Sequence, residues 1–370
     1  MTSRTAVVKA SAITRQVRML LAVCVFALSV SASTLKKFDA AGAGNGNGQG
    51  TVPVAISPAE VVAGYFIDSH GADHGFARES NGTMLSPIDA PGAGTGSGQG
   101  TLIYSINKAG VMTGYFIDAN GVAHGFVRAA NKIFTTFDPS RSVDTFSYNI
   151  NTAGTVAGDY FDSSFVAHGF VRINGTINPF DAPGAGTAQF QGTYTGSEDC
   201  LNTAGAIAGT YVDSKGISHG FVFANGFFTT INAPGAGTSA GQGTGATGIN
   251  DSDTVSGTYI DANNVFHGFV WVNNNLTPFD VKGAGTGVGQ GTLGESIDAS
   301  GVIVGQYVDS NGVNHAFQRS AGGVIATGDV PGAGTNGGQG TIPSSNSAAN
   351  EIDGLYIDAV GVSHGFLWIP

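Results

Sequence analysis

Beyond residue 33, apolar and polar residues alternate over short stretches, and glycine, asparagine or aspartate interrupts the alternation at close intervals. Alternation with a period of two predicts β-strands, and Asn-Gly favours a tight hairpin turn because both residues tolerate positive φ. No part of this region keeps a helical period over three turns. One well-patterned region predicts four strands in succession, at residues 101–107, 111–118, 123–128 and 133–138.

One motif recurs in the pattern, Gly-x-[Tyr/Phe]-x-Asp followed by five residues and His-[Gly/Ala]-Phe. Successive histidines lie 44 to 51 residues apart, which is the length of one propeller blade. We number these repeats units 1 to 7. Their aspartates are Asp68, Asp118, Asp162, Asp213, Asp261, Asp309 and Asp358, and their histidines are His74, His124, His168, His219, His267, His315 and His364.

Each unit predicts four strands, A to D, and glycine-rich linkers join each D strand to the next A strand. The last unit stops after its C strand, whereas Thr34 to Asp39 matches the D strands in sequence. We therefore expect this first segment to pair as the D strand of the last unit, which is how propellers commonly join their ends. The predicted fold class is all-β, a seven-bladed β-propeller of four-stranded blades that occupies residues 34–370 as one domain.

Residues 1–33 have the layout of a secretory signal peptide. Four basic residues, Arg4, Lys9, Arg15 and Arg18, precede an apolar run from Met19 to Val30, and Ser31-Ala32-Ser33 offers small residues for cleavage. We expect a secreted, extracellular or periplasmic bacterial protein with no membrane span in its mature chain. An uncleaved anchor is the alternative.

The net charge limits the classes of partner, and the cysteine content limits the sources of stability. The net charge is −11, and the predicted mature chain keeps 11 of the 15 basic residues and all 26 acidic ones. An acidic surface repels phosphate backbones, so nucleic acid is not an expected partner. Of the two cysteines only Cys200 remains after residue 33, so stability must come from packing and ring closure. We expect a monomer.

The repeat resembles the extracellular HAF repeat of bacterial proteins, which is named for its His-Ala-Phe core. His315-Ala316-Phe317 matches that core, and the other six units have His-Gly-Phe. Ile106-Asn107-x-x-Gly110-Val111 is similar to the family's Ile-Asn-x-x-Gly-x-Val. The linker Phe-Asp-Ala-Pro-Gly-Ala-Gly differs from the family's usual form, which suggests a distinct subgroup. The resemblance implies a location and a fold, and no reaction.

The seven Asp-His pairs predict structure rather than catalysis. A catalytic pair is needed once, whereas this one recurs in every unit. The Asp is suited to accept turn N–H groups, and the His to pair with that Asp or with nearby backbone. The glycine linkers lack the residues of a dinucleotide or phosphate loop. We predict no catalytic residue, no metal and no cofactor.

Candidate ligand-binding residues come from the linkers and from the places where the repeat fails. In a four-stranded blade the B–C hairpins and D–A linkers share one face, here called the linker face. Linker glutamines there offer amides to sugar hydroxyls. The linker into unit 3 is short, and the A strand of unit 4 carries a three-residue insertion. The candidates are Gln49, Gln99, Gln191, Gln242, Gln290 and Gln339, with Arg141, Asp144, Glu198 and Asp199 at the irregular places.

Three functional hypotheses follow. The favoured one is a secreted or cell-surface binding or scaffold protein that contacts polysaccharide or protein. The second is a propeller enzyme acting on glycans, a hydrolase or lyase, which would need convergent carboxylates such as Asp144, Glu198 and Asp199. The third is a structural surface protein without a ligand. A groove of aromatic or polar side chains would favour the first hypothesis.

Overall fold

A computed structural model describes residues 34–196 and 199–369. Within these residues the chain forms 28 strands, and no helix is long and apolar enough to cross a membrane. The predicted all-β class is confirmed. The predicted signal peptide (1–33) and the candidate Glu198 lie outside the described residues.

The strands are numbered in chain order. The first fourteen are β1 (Thr34–Phe38), β2 (Gly50–Ile56), β3 (Val62–Ile67), β4 (Asp73–Arg78), β5 (Met84–Ile88), β6 (Gly100–Ile106), β7 (Met112–Ile117), β8 (Ala123–Arg128), β9 (Phe134–Phe137), β10 (Asp144–Ile150), β11 (Val156–Phe161), β12 (Ala167–Ile173), β13 (Thr176–Phe180) and β14 (Gly192–Tyr194). The others are β15 (Ile207–Val212), β16 (Ser218–Ala224), β17 (Phe227–Ile231), β18 (Gly243–Ile249), β19 (Val255–Ile260), β20 (Phe266–Val272), β21 (Asn275–Phe279), β22 (Gly291–Ile297), β23 (Ile303–Val308), β24 (Asn314–Arg319), β25 (Ile325–Gly328), β26 (Gly340–Asn346), β27 (Ile352–Ile357) and β28 (Ser363–Ile369).

Consecutive strands pair antiparallel in sets that match the sequence units. In unit 2, β6 pairs with β7, β7 with β8 and β8 with β9. The predicted bounds of these four strands are correct to within one residue at every end. Strand β1 pairs with β28 from Thr34↔Ile369 to Phe38↔Gly365, so the first segment supplies the D strand of the last unit, as its sequence predicts.

The Gln-Gly-Thr sequence at the linker ends has a structural explanation at the junction of units 1 and 2. The Asp73 N–H donates to the Gln99 carbonyl at 2.7 Å, which brings strand C of one unit against strand A of the next. A Cβ on Gly100, whose φ is +127°, would overlap the backbone of Asp73, so this approach requires glycine. The Thr101 hydroxyl accepts the Ala90 N–H at 2.9 Å and fixes the start of the linker.

The phenylalanine that ends the motif forms the core of each unit. Each of these phenylalanines is at most 2% exposed: Phe76, Phe126, Phe170, Phe221, Phe269, Phe317 and Phe366. The motif glycine on strand B faces such a ring; a Cβ on Gly257 would lie 2.5 Å from the Phe269 ring. The recurring Gly and Phe therefore serve close packing.

Candidate functional site

Each motif aspartate closes the B–C hairpin, as the sequence predicts. Asp118 Oδ1 accepts the Asn120 N–H at 2.8 Å and the Val122 N–H at 2.9 Å. The Val122 N–H is the largest influence on this carboxyl and helps to hold its pKa below the ordinary value. The same pair of contacts, to the second and fourth following residues, recurs for Asp68, Asp162, Asp213, Asp261, Asp309 and Asp358.

The motif histidine has a closer partner than the motif aspartate. His124 Nδ1 lies 2.8 Å from Asp138 Oδ2, just after strand D, whereas its Nε2 lies 3.8 Å from Asp118 Oδ2. The sequence predicts that the His pairs with the motif Asp or with nearby backbone, and it does not indicate this closer carboxylate after strand D. The ring also stacks on Phe116 at 5.1 Å. Within the described residues, no three His, Cys, Asp or Glu side chains gather as metal ligands.

The linker glutamines hold the linkers to the B–C hairpins. Gln99 Oε1 accepts the Gly96 N–H at 2.9 Å, and its Nε2 donates to the Ala119 carbonyl at 3.2 Å. Gln49, Gln242, Gln290 and Gln339 make the same two contacts. The amides of these five candidates are therefore engaged at both ends within the chain.

Gln191 differs from the other five. Its Oε1 accepts the Ala188 N–H at 3.1 Å, but its amide nitrogen has no hydrogen-bond partner among the residues that the structure describes. Gln191 is also only partly buried. Of the six glutamines, it is the one whose amide N–H groups no described residue accepts.

Asp144 and Arg141 occupy the short linker into unit 3. Asp144 Oδ1 accepts the Ala123 N–H at 2.9 Å and so replaces the glutamine carbonyl found at the other junctions. Arg141 is exposed with φ of +71°. The Val143 N–H donates to the Phe161 carbonyl at 2.8 Å, which places this linker beside the end of strand β11.

Asp199 lies at the opposite end of the A strands. It lines a pocket of about 240 Å³ together with residues that follow or end those strands, among them Asn202, Asn250 and Asp298. Asp144, in contrast, begins strand β10. The structure therefore does not bring Asp199 to the linker face beside Asp144, and the convergent carboxylate pair that a glycan-active enzyme would need is not formed by these two residues.

Residues that line that pocket are linked by a series of hydrogen bonds from a side-chain amide to a backbone carbonyl. Asn107 donates to the Asn151 carbonyl at 3.0 Å, Asn151 to Asn202 at 3.1 Å, Asn202 to Asn250 at 3.2 Å and Asn250 to Asp298 at 3.0 Å. Asp298 is the next member of this series, but its side chain is a carboxylate and has no amide with which to donate a further bond. Its Oδ2 is buried and has no hydrogen-bond partner within residues 34–196 and 199–369.

Two phenylalanines on the linker face break the repeat together. Phe165 sits in the B–C hairpin of unit 3 with φ of +57°, where Gly71, Gly121, Gly216, Asn264, Gly312 and Gly361 stand in the other units. Phe190 sits in the next linker with φ of +60°, where Gly48, Gly98, Gly241, Gly289 and Gly338 stand. A bulky side chain in this left-handed region costs about 1–2 kcal/mol.

The two rings are exposed and adjacent. Phe165 is 41% and Phe190 59% exposed, and their centroids lie 6.1 Å apart. Phe161 backs both rings at 6.4 and 6.2 Å. The Phe190 N–H donates to the Phe165 carbonyl at 2.8 Å, so the backbone fixes their spacing. We call Phe161, Phe165 and Phe190 the aromatic platform.

Sequence reasoning chose this face and these units but missed the platform. The signal was present, since phenylalanine replaces glycine at two positions of a seven-fold repeat. The two positions are 25 residues apart, and only the folded hairpin and linker show that they touch. Of the predicted candidates, Gln191 is the one that directly follows a platform residue, Phe190, in the chain.

Comparison with solved structures finds proteins of similar fold. No protein-family model and no curated protein matches the chain. Its structure is similar to that of the BP39L lectin from Burkholderia pseudomallei, with 11% identity, 86% of this chain and 99% of that chain covered, and a TM-score of 0.53. Further similar structures are the β-propeller domain of the Trilobed protease from Pyrococcus furiosus (7% identity, 85% and 94% covered, TM-score 0.48) and an Aleuria aurantia lectin (13% identity, 75% and 94% covered, TM-score 0.42).

Proposed function

We propose that this chain is a seven-bladed β-propeller of four-stranded blades that binds carbohydrate outside the cell through the aromatic platform. The 28 described strands and their pairing in sets support the blade count. The observation that carries the function is the presence of Phe165 and Phe190 at positive φ, where glycine would be less strained. Strain retained at an exposed surface position indicates a function that stability does not explain.

The chemistry of the platform suits a sugar ring. One face of a pyranose presents C–H groups that pack on aromatic rings, and its hydroxyls require donors and acceptors at the rim. Gln191 follows Phe190 in the chain, and no residue within 34–196 and 199–369 accepts its amide N–H groups. The acidic net charge of −11 disfavours anionic ligands, so neutral glycans are the proposed class.

A glycan array probed with residues 34–370 tests the proposal. The double variant Phe165→Gly/Phe190→Gly restores the residues of the other units and removes the platform. We expect it to lose binding at least tenfold while its melting temperature stays equal or rises. The matched control is Phe227→Thr, which removes an aromatic ring that is 78% exposed at a C–D turn on the opposite face. Unchanged binding in the double variant, or equal loss in the control, would overturn the site.

We further propose that the chain is a secreted bacterial protein related to the HAF-repeat proteins. The layout of residues 1–33 and the seven His-[Gly/Ala]-Phe cores support this. Expression of the full chain in a bacterium, followed by N-terminal sequencing of the exported product, tests it. Cleavage near residue 33 is expected, and retention of an intact chain in the cytoplasm would contradict it.

A further inference from the structure

A cavity of about 160 Å³ lies at the junction of units 6 and 7, away from the aromatic platform. Its walls come from strand β24 (Ala316 to Gln318), strand β25 (Ala326 to Gly328) and Trp368 of strand β28. Ala326 and Thr327 are exposed, so the cavity opens to solvent.

The cavity exists because a side chain that the other units share is missing. Strand D ends in Phe38, Ile88, Phe137, Phe180, Ile231 and Phe279 in six units, and in Gly328 in unit 6. Elsewhere this side chain covers the residue four positions after the motif histidine of the next unit: Phe180 stacks on Phe223 at 4.5 Å, and Phe279 lies 4.9 Å from the Arg319 guanidinium. The corresponding residue of unit 7 is Trp368, which no such side chain covers.

Two further departures from the repeat fall in the same cavity. The residue three positions after the motif histidine is Ala77, Val127, Val171, Val222, Val270 or Leu367 in six units and Gln318 in unit 6. The residue next to the histidine is glycine in six units and Ala316 here. Drift alone would scatter such changes over the surface, but Ala316, Gln318 and Gly328 all line one space.

The size and lining of the cavity define what fits. An engineered apolar cavity of about 150 Å³ accepts a benzene ring, so this space holds one six-membered ring. Trp368, Ala316 and Ala326 supply an apolar floor, and the Gln318 amide supplies the polar side chain on the same face of the sheet. An apolar floor with a polar edge matches a pyranose better than a purely apolar ring.

We propose that this cavity is a second carbohydrate subsite that holds one pyranose residue against Trp368. The inference shares the ligand class of the proposed function but none of its residues. Two subsites on one rigid ring would raise the avidity for a repetitive polysaccharide above that of either subsite.

Tryptophan fluorescence reports on this subsite alone. The chain contains two tryptophans, so Trp271→Phe leaves Trp368 as the single reporter. Residues 34–370 with this change are titrated with methyl pyranosides of glucose, galactose, mannose and fucose, and with cyclohexanol as an apolar ring. We expect a saturable fluorescence change with at least one glycoside.

Two variants test the cavity. Gly328→Ile imitates the Ile231 that accompanies Trp271 in the preceding units, and Gln318→Val restores the usual residue. Either should weaken glycoside binding at least tenfold, and Gln318→Val serves if Gly328→Ile does not fold. Phe165→Gly/Phe190→Gly should leave the titration unchanged, which separates the two sites. No saturable change up to about 100 mM, a hundredfold excess over a millimolar Kd, would overturn the proposal, and so would saturation by cyclohexanol only.

Discussion

His364 Nδ1 lies 2.9 Å from Asp39 Oδ1, although the two residues are 325 positions apart in the chain. In unit 1 the equivalent contact joins His74 to Asp89, 15 positions later. Strand β1 therefore occupies the place of strand D in the last unit, as β5 does in unit 1. We expect β1 to stabilise the last unit and the contact between the two ends of the chain.

A chain that begins at Gly42 should melt earlier and aggregate, because β28 would then expose its unpaired edge. Thermal unfolding and light scattering measure both effects. Asp39→Asn is the control that keeps the strand, and it should have little effect because Asn232 pairs with His219 at 2.8 Å in unit 4. A truncated chain as soluble and as stable as the full one would show that closure does not need β1.

Asp213→Ala should lower the free energy of unfolding by roughly 1–3 kcal/mol, since the Lys215 and Ile217 N–H groups would lose their acceptor. Urea denaturation measures the change. Lys215→Ala, in the same exposed turn, is the control and should be nearly neutral. If Asp213→Ala kept its stability but lost a bound metal, the motif aspartates would have to be regarded as ligands.

Asp298→Asn should raise the free energy of unfolding by about 1 kcal/mol. Asn in this place can keep the contacts of Oδ1 to the Ser300 and Val302 N–H groups and extend the amide-to-carbonyl series by one member. Burial raises the pKa of Asp298, which agrees with a carboxylate in an unfavourable place. The reverse change, Asn250→Asp, should destabilise, and chemical denaturation of both variants at one pH tests the pair. A destabilised Asp298→Asn would contradict the interpretation.

Two buried carboxyls should make stability depend on pH. Burial raises the pKa of Asp353 and of Asp159 to about 7, from 3.8. At pH values between 3.8 and about 7, these two carboxyls keep their protons in the folded chain but have released them in the unfolded chain. Each group therefore lowers stability as pH rises from about 4 to 7, by up to about 1.4 kcal/mol per pH unit, and has no further effect above that window.

Asp353→Asn isolates this effect. Its Oδ1 can still accept the Ser345 hydroxyl at 2.6 Å, and the amide does not ionise. The stability of the variant relative to the original protein should be greater near pH 7.5 than near pH 4.5, as urea denaturation at both values would show. An equal difference at both pH values would mean that Asp353 does not titrate in this range.

The sequence predicts what is local and repeated. Asp118 and its turn donors lie within four residues, so the Asp-to-turn contact follows from the motif. The His124–Asp138 contact spans 14 residues and depends on the register of strand D, which no pattern within the motif specifies. The platform and the Trp368 cavity arise where single residues of distant segments meet. The repeat marks Phe165 and Gly328 as exceptions, but only the fold shows which exceptions are neighbours.

The pairing of Thr34 with Ile369 also bears on where this ring could be cut. In unit 3 the matching pair, Ile173↔Thr176, is joined by the two-residue turn Asn174-Gly175. An Asn-Gly bridge between residues 369 and 34 would therefore complete the seventh C–D hairpin and produce a circular chain. New ends could then be opened at any other C–D turn, so circular permutation should preserve the pairing between units and allow a fused partner to be placed on any chosen unit.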